Sequence, residues 1–200
     1  MPTTRRPVSS RATRPALALL WLALLLAPLA LTSQRALARD PAPVEARVGL
    51  DLASAAAVSW AADAQLVYVE NDEALDPSGA APRWSYLFHS HSLDRHRAYS
   101  VRDGRIVEAE NLEMKLEAPP LGAGWMDSGA ARHVADDHAG LEFCRSHGGE
   151  LRSMLLMRGA IEVDAPDETT WMLVYLAPNV PALFVVIDAA AGKVRRTWRG

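Results

Sequence analysis

The sequence contains a single cysteine, Cys144, and few aromatic residues, which make up 6% of its 200 positions. One cysteine cannot form an intramolecular disulfide, so the fold must be held together by its hydrophobic core. Half of the residues are hydrophobic, and a chain of this length is long enough to bury a core of that kind. The class of small disulfide-stapled domains is therefore excluded.

Known catalytic and nucleotide-binding motifs are also missing. The sequence has no GxSxG nucleophile elbow, no GxxxxGK[ST] phosphate loop and no GxGxxG after a strand-like segment. Each of these patterns places a nucleophile or backbone N–H groups where the chemistry needs them. Their absence does not exclude an enzyme, but it favours a non-enzymatic protein, for which no cofactor is expected.

The first 38 residues have the pattern of a secretory signal peptide. Four arginines precede an apolar run from Ala16 to Leu31, and Ala36-Leu37-Ala38 supplies the small residues that signal peptidase reads. The alternative is an uncleaved membrane anchor, but the run has only 16 residues and contains Pro28, whereas a membrane span needs about 20. The sequence predicts a secreted or periplasmic protein that is cleaved after Ala38 and keeps no stable membrane anchor.

Basic residues are scarce beyond the predicted cleavage site. Five of the 21 basic residues lie in the first 38 positions, whereas all 24 acidic residues follow them. The remaining chain therefore carries 16 basic and 24 acidic side chains, a net charge of −8 with histidine neutral. Nucleic acids and anionic membranes need a basic face, so the composition argues against both as partners.

An internal repeat is the most informative pattern in the chain. In the first half, a helix-like stretch precedes AQLVYVEN, PRWSYLFHS and RAYSVRDGRIVEAE; in the second, another precedes ELRSMLLMRG, TTWMLVYLA and PALFVVIDAAAGKVRRTW. Trp84 and Gly104 are 20 residues apart, and Trp171 and Gly192 are 21 apart. The shared order and spacing favour a duplication of one structural unit.

Each copy is predicted to be a helix followed by about three antiparallel strands. The first helix is expected over Leu52 to Ala64, where apolar residues recur every four positions. The second is expected to begin at Ser128, with Asp127 or Ser128 as its cap, and to end or kink at Gly140. The fold class is therefore α+β, with two tandem units that could pack together or continue a single sheet.

The predicted organisation has five segments. They are a signal peptide (1–38), an N-terminal linker (39–49), a first unit (50–116), a Pro/Gly-rich linker (117–124) and a second unit (125–200).

The end of the second copy, VVIDAAAGKV, resembles the ending of PepSY and PepSY-like domains of exported bacterial proteins. Those repeats close with an apolar strand, an aspartate, a small residue, a turn glycine and a last strand that carries valine. The first copy keeps only the turn, Asp103-Gly104. The resemblance implies a binding or inhibitory module without catalytic residues, whose partner is a peptide or protein of the cell envelope held at a sheet face or strand edge. The matching residues are Val186, Ile187, Asp188, Ala189, Gly192, Lys193 and Val194.

Three of the six histidines lie within FHSHSLDRH, residues 88–96. His89 and His91 share one face of a predicted strand, and His96 could return across a hairpin as a third ligand for Zn²⁺ or Cu²⁺. The alternative is a solvated hairpin tip, since no fourth ligand or orienting group accompanies them. A small metal-binding protein is thus the second hypothesis for function.

Cys144 and His147 are three residues apart and could meet on one helical turn. A thiolate beside an imidazole can be a nucleophile, so an unrecognised hydrolase is a third hypothesis. The alternative is a structural thiol, because free cysteine is among the most buried residue types.

Overall fold

The computed structural model of the protein describes residues 41–113, 119–159 and 166–200. The predicted signal peptide and its cleavage site lie outside these residues, as do the first two residues of the linker 39–49 and the boundary between the first unit and the linker 117–124. The helices and strands are α1 (Leu50–Trp60), β1 (Gln65–Asn71), β2 (Arg83–Ser90), β3 (Arg95–Arg102), β4 (Arg105–Leu112), α2 (Ser128–Ala135), a π-helical turn (Asp136–Gly140), α3 (Leu141–His147), β5 (Glu150–Arg158), β6 (Thr169–Leu176), β7 (Leu183–Asp188) and β8 (Lys193–Arg199).

The eight strands found among the described residues form one antiparallel sheet, in the order β4-β3-β2-β1-β5-β6-β7-β8. Each half of the chain forms a four-stranded meander, and the two meanders join where β1 pairs with β5. At this seam Val69 lies opposite Leu156. The fold is therefore α+β and mostly sheet, and the two halves continue a single sheet.

Each half has four strands where about three were predicted. The last strand of each half follows the turn RDGRI or AAGKV, where Gly104 and Gly192 adopt φ values of 65° and 67°. Glycine takes this left-handed conformation without steric cost, so the chain reverses tightly and a separate strand follows. Both halves thus share the order helix, then four strands; the duplication behind that order stays a prediction.

The first helix is shorter than predicted and buries a different stripe. It ends at Trp60, since Ala61 is already extended, and Ala64 lies beyond it. Its buried residues are Ala53 and Ala57, whereas Leu52 is 39% exposed. Alanine has no bulky side chain, so this stripe lets the helix axis lie close to the sheet.

The second helical segment begins as predicted and extends further. Asp127 is the N-cap of α2, and its side chain accepts a hydrogen bond from the backbone of Ser128. Gly140 does not end the helix; the π-helical turn leads directly into α3, which ends at Gly148 in the left-handed conformation. Gly140 is buried against Tyr175, and a Cβ at this position would overlap the tyrosine ring.

The helices lie on one face of the sheet and enclose a single core. Tyr99 donates a hydrogen bond from its hydroxyl to the Ala56 carbonyl of α1, and Tyr175 donates one to Asp136 in the π-helical turn. Both tyrosines belong to strands whose alternate residues are buried in this core. Because each half contributes its own helix to the same side, the opposite side of the sheet is left without a helical cover in the described part of the chain.

Two tryptophans at equivalent strand positions fill the middle of the core. Trp84 and Trp171 are fully buried, and their rings meet edge to face with centroids 6.3 Å apart. Their indole N–H groups donate to the carbonyls of Val44 and Met126, which lie ahead of the two helices. Trp125 packs edge to face on Trp171 at 6.0 Å. The segment 41–49, expected to be a linker, is thereby tied to the core.

Candidate functional site

The sheet has an inner face, covered by the helices, and an outward face on its opposite side. Side chains alternate along a strand, so Ser85 lies on the outward face between Trp84 and Tyr86. Cross-strand partners share a face, and the register therefore defines an outward row that crosses the whole sheet. From β4 to β8 its members are Glu108, Ser100, Ser85, Glu70, Leu155, Met172, Val186 and Arg196.

The first half of the outward row is a polar network centred on Asp72. One carboxylate oxygen of Asp72 accepts hydrogen bonds from Ser85 (2.9 Å) and Ser100 (2.6 Å), and the Nε atom of Arg83 lies 3.3 Å from the same oxygen. The two serine hydroxyls are 2.7 Å apart. Because its polar groups bond to one another, this half of the face is well suited to water.

A carboxylate with a perturbed pKa marks the boundary between the two halves of the row. Burial raises the pKa of Glu70, and the nearby charge of Asp72 adds to the rise, while a hydrogen bond from Tyr68 opposes it. The Tyr68 hydroxyl donates to Glu70 over 2.8 Å. Burial, together with Glu70, also raises the pKa of Tyr68 above its ordinary value. Glu70 lies directly opposite Leu155 in the register, so charge gives way to apolar surface at this seam.

The second half of the outward face is apolar and partly exposed. Phe184 and Trp198 stack with their ring centroids 4.8 Å apart and their planes 4° from parallel. The guanidinium of Arg196 lies 4.9 Å from the Trp198 ring, within cation–π range. We call the half-buried apolar residues here the outward patch; they are Leu155, Met157, Met172, Val174, Phe184 and Trp198.

Equivalent strands of the two halves differ in chemistry at the same outward positions. Ser85 follows Trp84 on β2 and pairs with Ser100, whereas Met172 follows Trp171 on β6 and pairs with Val186. Serine therefore suffices for this architecture in the first half. The strand pairing by itself does not require methionine or valine at the equivalent positions of the second half. The apolar character of β6 on both faces is visible in TTWMLVYL.

The structure brings together two of the three histidines that were predicted to bind metal. His89 and His96 lie opposite each other on β2 and β3, with ring centroids 4.5 Å apart. His96 is only 5% exposed, whereas His91 is exposed in the turn between the strands. Among the residues that the structure describes, no group of three His, Cys, Asp or Glu side chains is placed to hold a metal ion. The metal site at His89, His91 and His96 stays a prediction.

Asp63 fixes the hairpin that carries these histidines. It lies in the turn after α1, and its carboxylate accepts hydrogen bonds from the Ser90 hydroxyl (2.7 Å), the Ser92 backbone (2.7 Å) and the Ser92 hydroxyl (3.0 Å). These hydrogen bonds, led by that of Ser90, lower the pKa of Asp63 to about 2. The segment FHSHSLDRH, which was predicted to supply metal ligands, is therefore held in place by an aspartate outside it.

We expect the hairpin to loosen when Asp63 is protonated. A carboxylate whose pKa is lowered on folding stabilises the native state above its ordinary pKa of 3.8, and that contribution disappears as the pH falls toward 2. Protection of the Ser92 amide against hydrogen exchange should therefore fall over this range, and Asp63→Ala should remove it at every pH. Asp51→Ala, in the first turn of α1, should leave the protection of the Ser92 amide unchanged. Equal loss of protection in both variants would contradict the role of Asp63 in holding the hairpin.

Cys144 lies in an environment that disfavours its thiolate. It is half-buried on α3, and burial raises the pKa of its thiol. His147 is on the same helix, but its ring packs against Phe143 at a centroid distance of 5.2 Å. A nucleophilic cysteine needs a lowered pKa. A structural role for Cys144 is thus the better interpretation, and the hydrolase hypothesis stays untested.

The aspartate of the VVIDAAAGKV segment shapes a turn. One oxygen of Asp188 accepts hydrogen bonds from the backbones of Ala190 (3.0 Å) and Ala191 (2.9 Å), and the other accepts one from Arg195 (2.7 Å). Burial opposes ionisation, but these hydrogen bonds hold the pKa of Asp188 below its ordinary value. Asp188, one of the residues that carry the PepSY resemblance, therefore has a structural function in the β7–β8 connection.

Comparisons with known proteins give no functional assignment. No protein family and no curated protein matches the sequence. A crystal structure described as that of a "putative lipoprotein" from Clostridium difficile 630 is similar at 12% identity, over 72% of this chain and 87% of that chain, with a TM-score of 0.48. A structural similarity this weak supports no conclusion about the fold or the function of this protein. Within residues 41–113, 119–159 and 166–200, no helix is long and apolar enough to cross a membrane.

Proposed function

We propose that the protein is an exported, non-enzymatic binding module of PepSY-like type that holds a peptide or protein partner on its outward patch. One observation carries the proposal. The outward position after the tryptophan bears Ser85 in the first half and the half-buried Met172 in the second, where Val174 on the same strand is also half-buried. Because the architecture tolerates serine there, the apolar residues are best explained by contact with another molecule.

The composition of the outward patch supports a protein or peptide ligand. Aromatic residues, methionine and arginine are enriched at the centres of protein interfaces, and methionine adapts its shape to different partners. Val174 lies directly opposite Phe184 of the Phe184–Trp198 stack, and Met172 is two residues away on the same strand. Arg196 adds a cation at the rim. A contiguous apolar surface with a polar border is typical of an interaction site.

Export is proposed on the signal-peptide pattern of residues 1–38. N-terminal sequencing of the exported chain tests it directly, with Arg39 expected as the first residue if cleavage follows Ala38. A chain that retains its apolar run would point instead to an anchored protein.

The binding proposal predicts that polar substitutions in the patch abolish capture of the partner. We expect the double variant Met172→Ser and Val174→Ser to fold, since both side chains are half-buried and the equivalent first-half strand has serine after its tryptophan. Crosslinking and affinity capture from the envelope fraction should recover a defined partner with the wild-type protein. Recovery with the double variant should fall at least tenfold, because the apolar contact area is lost.

The matched control is Val58→Ser on the exposed side of α1. Val58 is 58% exposed and lies on the helix that covers the inner face. This variant loses the same kind of apolar surface away from the patch, so it should capture the partner as the wild type does. Equal capture by all three proteins, or no partner for any of them, would overturn the proposal.

A further inference from the structure

The two edge strands of the sheet carry charges of opposite sign. The edge strand β8 contains Lys193, Arg195, Arg196 and Arg199 and no acidic residue. On the other edge, the outward side chains of β4 include Glu108 and Glu110, with Arg105 at the start of the strand. Glu108 lies 3.8 Å from Arg83 and is 56% exposed, and Glu110 is exposed. A concentration of four cations in seven residues is unusual in a chain whose net charge is −3.

Both edges are open to pairing in the part of the chain that the structure describes. Each of the two strands has a neighbour on one side only. On β4, the five residues from Val107 to Asn111 are all exposed. Arg195 is engaged by Glu168 and Asp188. The other exposed cations of β8 are Lys193 at its start, Arg196 in its middle and Arg199 at its end. Open edges present unpaired backbone N–H and C=O groups to any strand that fits.

The charges select which edges can meet. Two copies of β8 would bring only cations together, so this edge repels itself. On β4, Glu108 and Glu110 outnumber Arg105, so this edge is better matched by β8 than by a second β4. A β8 edge facing a β4 edge instead places Arg196 among Glu108 and Glu110. All three side chains lie on the outward face, where opposite charges on adjacent strands attract.

Strand direction agrees with this pairing. The sheet has eight strands that alternate in direction, so its first and last strands run in opposite directions. A second copy in the same orientation, placed beside β8, would therefore present β4 antiparallel to it. The helices of both copies would lie on the same side, and the sheet would continue with the pattern it already has at the β1–β5 seam.

We propose that the protein associates head to tail with copies of itself, the acidic edge β4 of one copy pairing with the basic edge β8 of the next. This goes beyond the proposed function, because the contact uses the edges of the sheet and shares only Trp198, on β8, with the outward patch. Such a contact is heterologous and repeats, so it gives short open chains of molecules. Main-chain hydrogen bonds hold the strands, and the Arg196–glutamate pairs set direction and partner.

Sedimentation velocity of the purified protein tests the proposal. The mass of the wild type should rise with concentration at low salt and return to that of a monomer near 1 M NaCl, where the Debye length is only about 3 Å. Arg196→Glu alone should remain a monomer, and so should Glu108→Arg with Glu110→Arg. An equimolar mixture of these two proteins should associate again, because each supplies an edge of the charge that the other lacks.

The control is Arg152→Glu, a charge reversal on the interior strand β5 at a side chain 60% exposed, which should associate as the wild type does. Met172→Ser with Val174→Ser should also associate normally, so that loss of partner capture and loss of self-association can be told apart. A wild type that stays monomeric at every concentration, or single-edge variants that associate as well as the wild type, would overturn the inference. So would association that the patch variant abolishes.

Discussion

Trp171→Ala should lower the free energy of unfolding by about 3–5 kcal/mol. The indole is fully buried between Trp84 and Trp125, and its N–H donates to the Met126 carbonyl. Truncation leaves a cavity at the middle of the sheet. It also removes the N–H group that donates to the Met126 carbonyl, just ahead of α2. Urea unfolding followed by circular dichroism measures the loss as a shift of the transition midpoint at unchanged slope.

Trp198→Ala is the matched control for this measurement. Trp198 is half-buried on the outward face of the edge strand β8, where solvent can fill the space it leaves. Its truncation should cost only about 1 kcal/mol, as expected for a partly exposed site without a cavity. Similar losses in the two variants would mean that Trp171 is not the centre of the core.

Gly140→Ala should destabilise the protein by about 3 kcal/mol, at the upper end of overpacking effects. Alanine normally favours a helix over glycine by about 1 kcal/mol. Here the added methyl group would overlap the ring and hydroxyl of Tyr175. That ring is fully buried and its hydroxyl is bonded to Asp136, so it cannot move aside without losing packing. Thermal unfolding is the measurement, with a clear fall in the midpoint expected.

Gly129→Ala separates the steric effect from helix propensity. Gly129 lies in α2, and its added methyl group would meet only the carboxylate end of Glu45, an exposed and flexible side chain. This variant should be as stable as the wild type or slightly more stable. If Gly140→Ala proved equally harmless, the close approach of the helix to Tyr175 would be refuted.

Local features of the fold could be predicted from the sequence, and long-range ones could not. The tryptophan-led strands, the turn glycines at 104 and 192 and the cap at Asp127 all follow from short-range patterns, and the structure has each of them. The pairing of β1 with β5 joins Val69 to Leu156, and no local pattern encodes contact over that separation. The buried stripe of α1 was misassigned because small Ala53 and Ala57, rather than large Leu52, face the sheet.

The histidine hairpin and the outward patch could be predicted only in part, because both depend on contacts between residues far apart in the sequence. The alternation around Trp84 places His89 on the outward face, and the register supports this, but the approach of His96 to it depends on the hairpin. Asp63, which holds that hairpin, lies 27 residues before Ser90. Nothing within the histidine segment indicates that this aspartate contacts it. Prediction of the outward patch requires knowledge of which face of the sheet the helices cover. Apolar residues on both faces of a strand predict burial, and the sequence alone does not say by what.

The β1–β5 seam also has a consequence for the order in which the molecule assembles. Contacts within each meander connect neighbouring strands, so they close short loops at low entropic cost. The seam instead joins residues 87 positions apart, which makes it the slow topological step of folding. While the chain is being synthesised, the first meander can form long before β5 exists, and its innermost strand then has a vacant side. The protein is thus most exposed to mispairing at the strand that later becomes its centre.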